Sequence, residues 1–239
     1  MKANALRGIL LWLLGRVYRI KFDGKDLKAL RDHLKEGSVI LVFNHLSLDD
    51  AVVLLRPLFL EAKEVIERVI VPGSRKHWGE PLLGQIMRLG PLSGIEVFPA
   101  VQHYERGADS PYSRAHIFLL DWRFGKAAGE VLGMAGGVIL FAPEGTRSKD
   151  GKIQPPQKGI GFLIRLAKRR GFRTKIMPIG IEPQRGFSRD LNFGKEFSIH
   201  FGPLLSLEEI ENSVKEKQIS SGEIVMEEIA DLLPAGYSS

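Results

Sequence analysis

The 239-residue sequence contains no cysteine. That absence excludes disulfides, cysteine-ligated zinc, iron–sulfur clusters, a thiol nucleophile and any intermediate held as a cysteine thioester, and it fits a reducing compartment. Aromatic residues are sparse, at 8% of the chain. They are not interleaved with basic residues as a single-strand nucleic-acid binder requires, so no nucleic-acid partner is expected. Long hydrophobic runs are also missing. The uninterrupted run Ile9–Leu14 falls short of the ~20 apolar residues that a membrane-crossing helix needs. Several nucleotide and hydrolase signatures are absent too. There is no GxxxxGK[ST] and no HExxH. Gly159-Ile160-Gly161 lacks the third glycine of a dinucleotide fingerprint, and Gly186–Asp190 ends in Asp where a nucleophile elbow ends in Gly. No metal or cofactor is expected.

What remains is an ordinary globular composition, 44% hydrophobic and 26% charged, with 34 Lys and Arg against 28 Asp and Glu and a formal net charge of +6. The positive excess suits an anionic partner such as a phosphorylated substrate or an anionic membrane surface. At the N-terminus, Arg7, Arg16, Arg19 and Lys21 flank the greasy segment Ala5–Ile20. This is compatible with an interfacial helix carrying Trp12 and Tyr18 at headgroup level. A signal peptide lacks a cleavage site here, and an apolar helix covering the core is the third reading.

Strand-like apolar runs alternate with helical patterns. Strands are expected over Ser38–Phe43, Arg68–Val71, Glu96–Phe98, Gly137–Ala142, Lys175–Ile181 and Glu196–Phe201. Helices are expected over Asp26–Glu36, Leu48–Phe59, Pro81–Leu89, Ala115–Ala135 with a break at Gly125 or Gly129, Gly159–Arg170, and Leu207–Leu233 with a break near Ser220. Val101–Tyr112 reads as an exposed loop. The pattern predicts a single α/β domain with a mixed, largely parallel sheet flanked by helices, over residues 23–239, preceded by an amphipathic membrane-interface helix within residues 1–22.

Two polar constellations follow the strongest strands. The first is Asn44-His45-Leu46-Ser47-Leu48-Asp49-Asp50. A carboxylate that accepts the imidazole N–H fixes the tautomer of a general base. Residues five apart diverge by ~140° within a helix, so the pair meets only across a strand-to-helix turn, which Ser47 would cap with Asp50 at the third helical position. The alternative is that Asp50 merely completes that cap. With 6 His in the chain, about a quarter of one His-x4-Asp match arises by chance. A second match, His116 and Asp121, lies inside an expected helix and reads as a decoy. The other constellation is Pro143-Glu144-Gly145-Thr146-Arg147-Ser148. Gly145 permits a tight turn, Arg147 offers a planar fork to a phosphate, and Thr146 is a neutral donor. Glu144 would hold Arg147 or bind a substrate hydroxyl. A strand-end turn with a surface Glu–Arg pair is the bland alternative.

NHLSLDD resembles the NHxxxxD motif, and PEGTRS the second signature, of the glycerolipid acyltransferases, most closely the bacterial 1-acyl-sn-glycerol-3-phosphate acyltransferases. Ile176–Ile181, with Pro178, is similar to a late strand of that family. The resemblance covers roughly Leu27 to Phe201. It implies acyl transfer from acyl-CoA or acyl carrier protein to the hydroxyl of a lysolipid acceptor such as lysophosphatidic acid. His45 would be the general base, Asp50 its orienter, and Glu144, Gly145, Thr146 and Arg147 the acceptor ligands. It also implies a peripheral or monotopic protein at the cytoplasmic face of an anionic membrane. Gly94–Ala100 departs from the family pattern, because the arginine expected there is missing. Arg106, Arg114 and Arg123 are candidate replacements, and a different acceptor is the alternative. With neither a cysteine nor a serine elbow, direct attack of the acceptor oxygen on the thioester is expected.

Overall fold

A strand buried on both faces needs an apolar side chain at nearly every position, and SVILVF supplies one. The computed structural model describes residues 2–23, 25–75, 94–101, 105–106, 110–183, 188, 192–235 and 237. Along them run α1 (Lys2–Val17), β1 (Arg19–Phe22), α2 (Lys25–Leu34), β2 (Ser38–Phe43), α3 (Asp50–Ala62), β3 (Arg68–Ser74), β4 (Ile95–Ala100), α4 (Arg114–Leu132), β5 (Gly137–Phe141), α5 (Lys158–Arg169), β6 (Thr174–Pro183), β7 (Glu196–Phe201), β8 (Leu205–Ser206), α6 (Leu207–Lys217) and α7 (Ser221–Asp231). The helix expected over Pro81–Leu89, and parts of the 101–112 segment, lie outside the described residues.

The strands form one eight-stranded sheet in the order β1–β7–β6–β2–β5–β3–β4, with β8 also pairing with β6. β2 through β6 run parallel; β7 runs antiparallel to β6, and β1 parallel to β7. The expected mixed, largely parallel α/β sheet is therefore present. β2 is central and buried at all its residues. Its alternate side chains feed two cores. Val39, Leu41 and Phe43 join α1, α2 and α3 on one face, whereas Ile40 and Val42 join α4, α5, α6 and α7 on the other. Its one polar residue, Ser38, is satisfied by the Leu132 carbonyl at 2.8 Å and the Thr174 hydroxyl at 2.9 Å.

Several local expectations are corrected. α3 starts at Asp50 rather than Leu48 and runs past Phe59 to Ala62, with Pro57 inside it, because Val53, Leu54, Leu58, Phe59 and Ala62 are all buried against the core. α4 is unbroken at Gly125 and Gly129. Gly costs a helix only ~1 kcal/mol, which the burial of Leu120, Ala127, Ala128, Val131 and Leu132 along the same helix outweighs. β1 carries no strand signal of its own; it is held by its register with Glu196–Ile199. Pro178 is tolerated in interior β6 because it falls between the two antiparallel ladders, with β8 at residues 175–176 and β7 from residue 179 onward.

Tyr18 is also corrected. It is not at an interface but buried at 4% exposure, with its ring against Phe193 and Phe197. Arg7 is likewise buried and donates to the carbonyls of Lys63, Ile66 and Glu67. With Leu14 in the core, these groups seat α1 on α3 and leave Ile9, Trp12 and Leu13 outward, Arg16 stacked over Trp12 at 4.7 Å. No described helix is long and apolar enough to cross a membrane.

Candidate functional site

The ends of β2, β5 and β6 converge on one edge of the sheet, where open α/β folds place their chemistry. β2 stops at Phe43 because the next residue uses its side chain as a peptide unit. Asn44 Nδ2 donates to the Ile181 carbonyl at 2.9 Å, and the Ile181 N–H donates to Asn44 Oδ1 at 2.7 Å. That releases the main chain of His45. The His45 N–H donates to Glu144 Oε1 at 2.7 Å, and the Ser148 N–H donates to the His45 carbonyl at 2.7 Å. The two constellations are thus knitted through the backbone of a single residue.

His45 and Asp50 do meet, with Nδ1 3.0 Å from Asp50 Oδ2. The turn differs from the expected one. α3 starts at Asp50 itself, so Ser47 is not its cap. Instead residues 46–49 curl back over the Asp50 carboxylate, which accepts from the Leu46 N–H at 2.5 Å, the Ser47 N–H at 2.8 Å and the Ser47 hydroxyl at 2.5 Å. Asp50 is wholly buried, while the His45 side chain is 23% exposed. The pair therefore has a locked inner end and an open outer end. The decoy stays apart: Asp121 pairs with Arg106, and the His116 ring stacks on Tyr112.

Glu144 bridges the two constellations. Its side chain is buried, and its second oxygen accepts the Gln154 N–H at 2.9 Å. Burial raises its carboxyl to about 8; the two N–H bonds oppose the rise and the Asp50 charge adds to it. Gly145 has φ of +65°, the left-handed conformation that a side chain resists. Its N–H is spent on the Ala142 carbonyl at 3.2 Å and so is not a free donor. Thr146 and Arg147 follow, both half-buried.

A second cluster escaped the sequence reading. Asp49, almost fully buried, shares the one Ser47 hydroxyl proton with Asp50 at 2.5 Å and accepts the Asn192 N–H at 2.7 Å and Asn192 Nδ2 at 3.2 Å. Tyr18 hydrogen-bonds it as well; burial, and next the Asp49 charge, push the phenol up. The junction of α1 with β1 is therefore bonded to the turn that carries His45. No local pattern marks Asn192. Asn44 carried a signal in its position: an amide side chain that directly follows a buried strand can continue the ladder.

A strand-end histidine braced by a buried carboxylate, beside a Gly-Thr-Arg turn on the neighbouring strand, is an arrangement for deprotonating a hydroxyl. The profile of the family described as Acyltransferase matches residues 19–182, well over half of the chain, and the protein belongs to that family. It is an acyltransferase, moving an acyl group from a donor to a lipid acceptor. No curated protein matches the chain.

Proposed function

We propose that the protein transfers a fatty acyl group from acyl-CoA or acyl carrier protein to the free hydroxyl of lysophosphatidic acid, giving phosphatidic acid. The observation that carries this reading is the His45–Asp50 pair, buried at the aspartate and open at the imidazole. Nδ1–H donates to Asp50, and the other ring nitrogen takes the proton of the acceptor hydroxyl. The acceptor oxygen attacks the thioester carbonyl, and a tetrahedral oxyanion forms. Its collapse breaks the carbon–sulfur bond, and the leaving thiolate takes the proton back from His45. The N–H groups of Leu46, Ser47 and Gly145 are already engaged. The Thr146 hydroxyl and the Arg147 fork therefore bind the acceptor phosphate and steady the developing charge, with Gly145 shaping the turn.

The protein would sit peripherally on the cytoplasmic face of an anionic membrane, with Ile9, Trp12 and Leu13 of α1 against the lipid and Arg16 among the headgroups.

One observation favours a second acceptor, a neutral lysolipid or another hydroxyl. The charged side chain of β4, Glu96, is paired with Arg68 at 2.6 and 2.9 Å, so this strand offers a phosphate no cation. Of the candidate replacements, Arg106 is engaged with Asp121 and the Val101 carbonyl. Product formation from lysophosphatidic acid and from monoacylglycerol, with native protein and His45→Ala, tests both. The phosphatidic-acid reading expects kcat/KM to favour the phosphorylated acceptor and His45→Ala to be inactive. Preference for monoacylglycerol would transfer the assignment to the neutral acceptor, and turnover by folded His45→Ala would remove the base.

A further inference from the structure

We propose that the outer face of α4, extended by Phe162 of α5, is a docking surface for a soluble acidic protein that carries the acyl group as a thioester. The proposal rests on the acyl-transfer reading and narrows its donor.

Soluble proteins seldom leave large apolar side chains exposed together without a partner. Here Phe118 is 72% exposed, Trp122 54%, Leu119 43% and Phe162 42%. Phe118, Trp122 and Lys126 follow one another at i, i+4 on a single stripe, with Lys126 Nζ 5.8 Å from the Trp122 ring centre. The Phe162 ring reaches α4 beside Gly125. The same two helices carry exposed cations: Arg114, Arg123 and Lys126 on α4, and Lys158 and Arg165 on α5. The acids of α4 are already taken, Asp121 by Arg106 and Glu130 by Arg68, and the α5 sequence contains none. The exposed faces of the two helices are thus aromatic and net positive.

Its position suits the donor. The Leu132 carbonyl meets Ser38 at the start of β2, so the C-terminus of α4 lies at the edge of the sheet away from His45. Phe118, in the early turns of α4, lies towards the catalytic edge. A free nucleotide-bearing thioester would seek a concave pocket, whereas the outside of a helix is convex and fits another macromolecule. A lipid surface is the other macroscopic candidate. However, α4 and α5 cover the opposite face of the sheet from α1 and α3, which carry Ile9, Trp12, Leu13 and Leu60 outward. A flat membrane laid on one outer layer does not reach the other. The α4 face is left to the water, where its charge selects an acidic protein.

The test uses full-length native protein and the double variant Trp122→Ala/Lys126→Glu, with palmitoyl-loaded acyl carrier protein and palmitoyl-CoA as alternative donors. The variant is expected to lose at least tenfold in kcat/KM with the protein-borne donor, through KM, and less than twofold with palmitoyl-CoA. Sedimentation with phosphatidylglycerol vesicles should not change. Equal losses with both donors, or no loss with either, would overturn the proposal. Loss of vesicle binding instead would assign the face to lipid. If native protein used neither donor, the acyl-transfer reading would fail by itself. Direct titration with the carrier protein would still decide the surface: tenfold weaker binding by the variant supports it, and no binding by native protein refutes it.

Discussion

Replacing Glu144 with Gln keeps the shape but removes a titratable group, and it probes the joint between the two constellations. In the native protein one carboxylate oxygen accepts the His45 N–H and the other the Gln154 N–H. A glutamine supplies a single oxygen, so its NH2 group faces the second N–H donor to donor. One buried amide left unpaired costs ~1–3 kcal/mol. The substitution also removes a titration. Burial raises the Glu144 carboxyl from its usual 4.5 to about 8. The folded protein therefore holds this proton more tightly than the unfolded chain does. The stability it confers is complete below about 4.5 and is lost as pH rises through about 8. At ~1.4 kcal/mol per pH unit, that interval bounds the effect at ~5 kcal/mol. Urea unfolding of native protein and Glu144→Gln, stepped from pH 5 to pH 8.5, isolates the term because the other groups cancel in the difference. The native advantage should shrink steadily with rising pH. A difference that stays constant refutes the raised titration, and no difference at any pH refutes the joint itself.

His45→Ala should lower turnover by ~10²–10⁴, while His116→Ala, stacked on Tyr112 away from the pair, should stay near native in the same assay. Arg147→Lys keeps the charge but loses the bidentate fork, so equilibrium binding of lysophosphatidic acid should weaken; unchanged affinity would refute the phosphate role. Tyr18→Phe deprives buried Asp49 of a donor and should destabilise by ~1–3 kcal/mol, read as a lower Tm, with an unchanged Tm as the refuting result. Trp12→Ala with Ile9→Ser should reduce sedimentation with anionic vesicles at unaltered Tm, because both side chains point outward. Deleting α1 would be a poorer test, since Arg7, Leu14 and Tyr18 are buried against the domain.

The legible parts of the fold were those encoded locally. Ser38–Phe43 and Gly137–Phe141 announce themselves because a doubly covered strand excludes polar side chains. The break before α7 is written in a capping box, Ser220 with Glu223. The meeting of His45 with Asp50 was legible as a requirement for a turn, but the turn itself was not. Its shape depends on four bonds to one carboxylate, which spacing does not reveal. The burial of Glu144 was not legible, because a Glu three residues after a strand looks exposed, and only the tertiary arrangement shows it wedged between two main-chain amides. Tyr18 was misread for the reverse reason. An aromatic beside basic residues suits an interface, yet Phe197 and Asp49, both distant in sequence, claim it.

The side-chain rung from Asn44 to Ile181 also bears on how the chain folds. It joins residues 137 positions apart, and the His45 amide finds Glu144 across 99. β2 is complete early in the sequence, but the posture of the two residues after it depends on strands that come much later. Contacts this non-local form slowly, because the loop-closure entropy must be met before they stabilise anything. The reactive edge is therefore expected to set last. In a refolding experiment with hydrogen exchange, amides within β2 should gain protection as β5 and β6 pair with it, and the His45 amide only when the turn after β5 has docked.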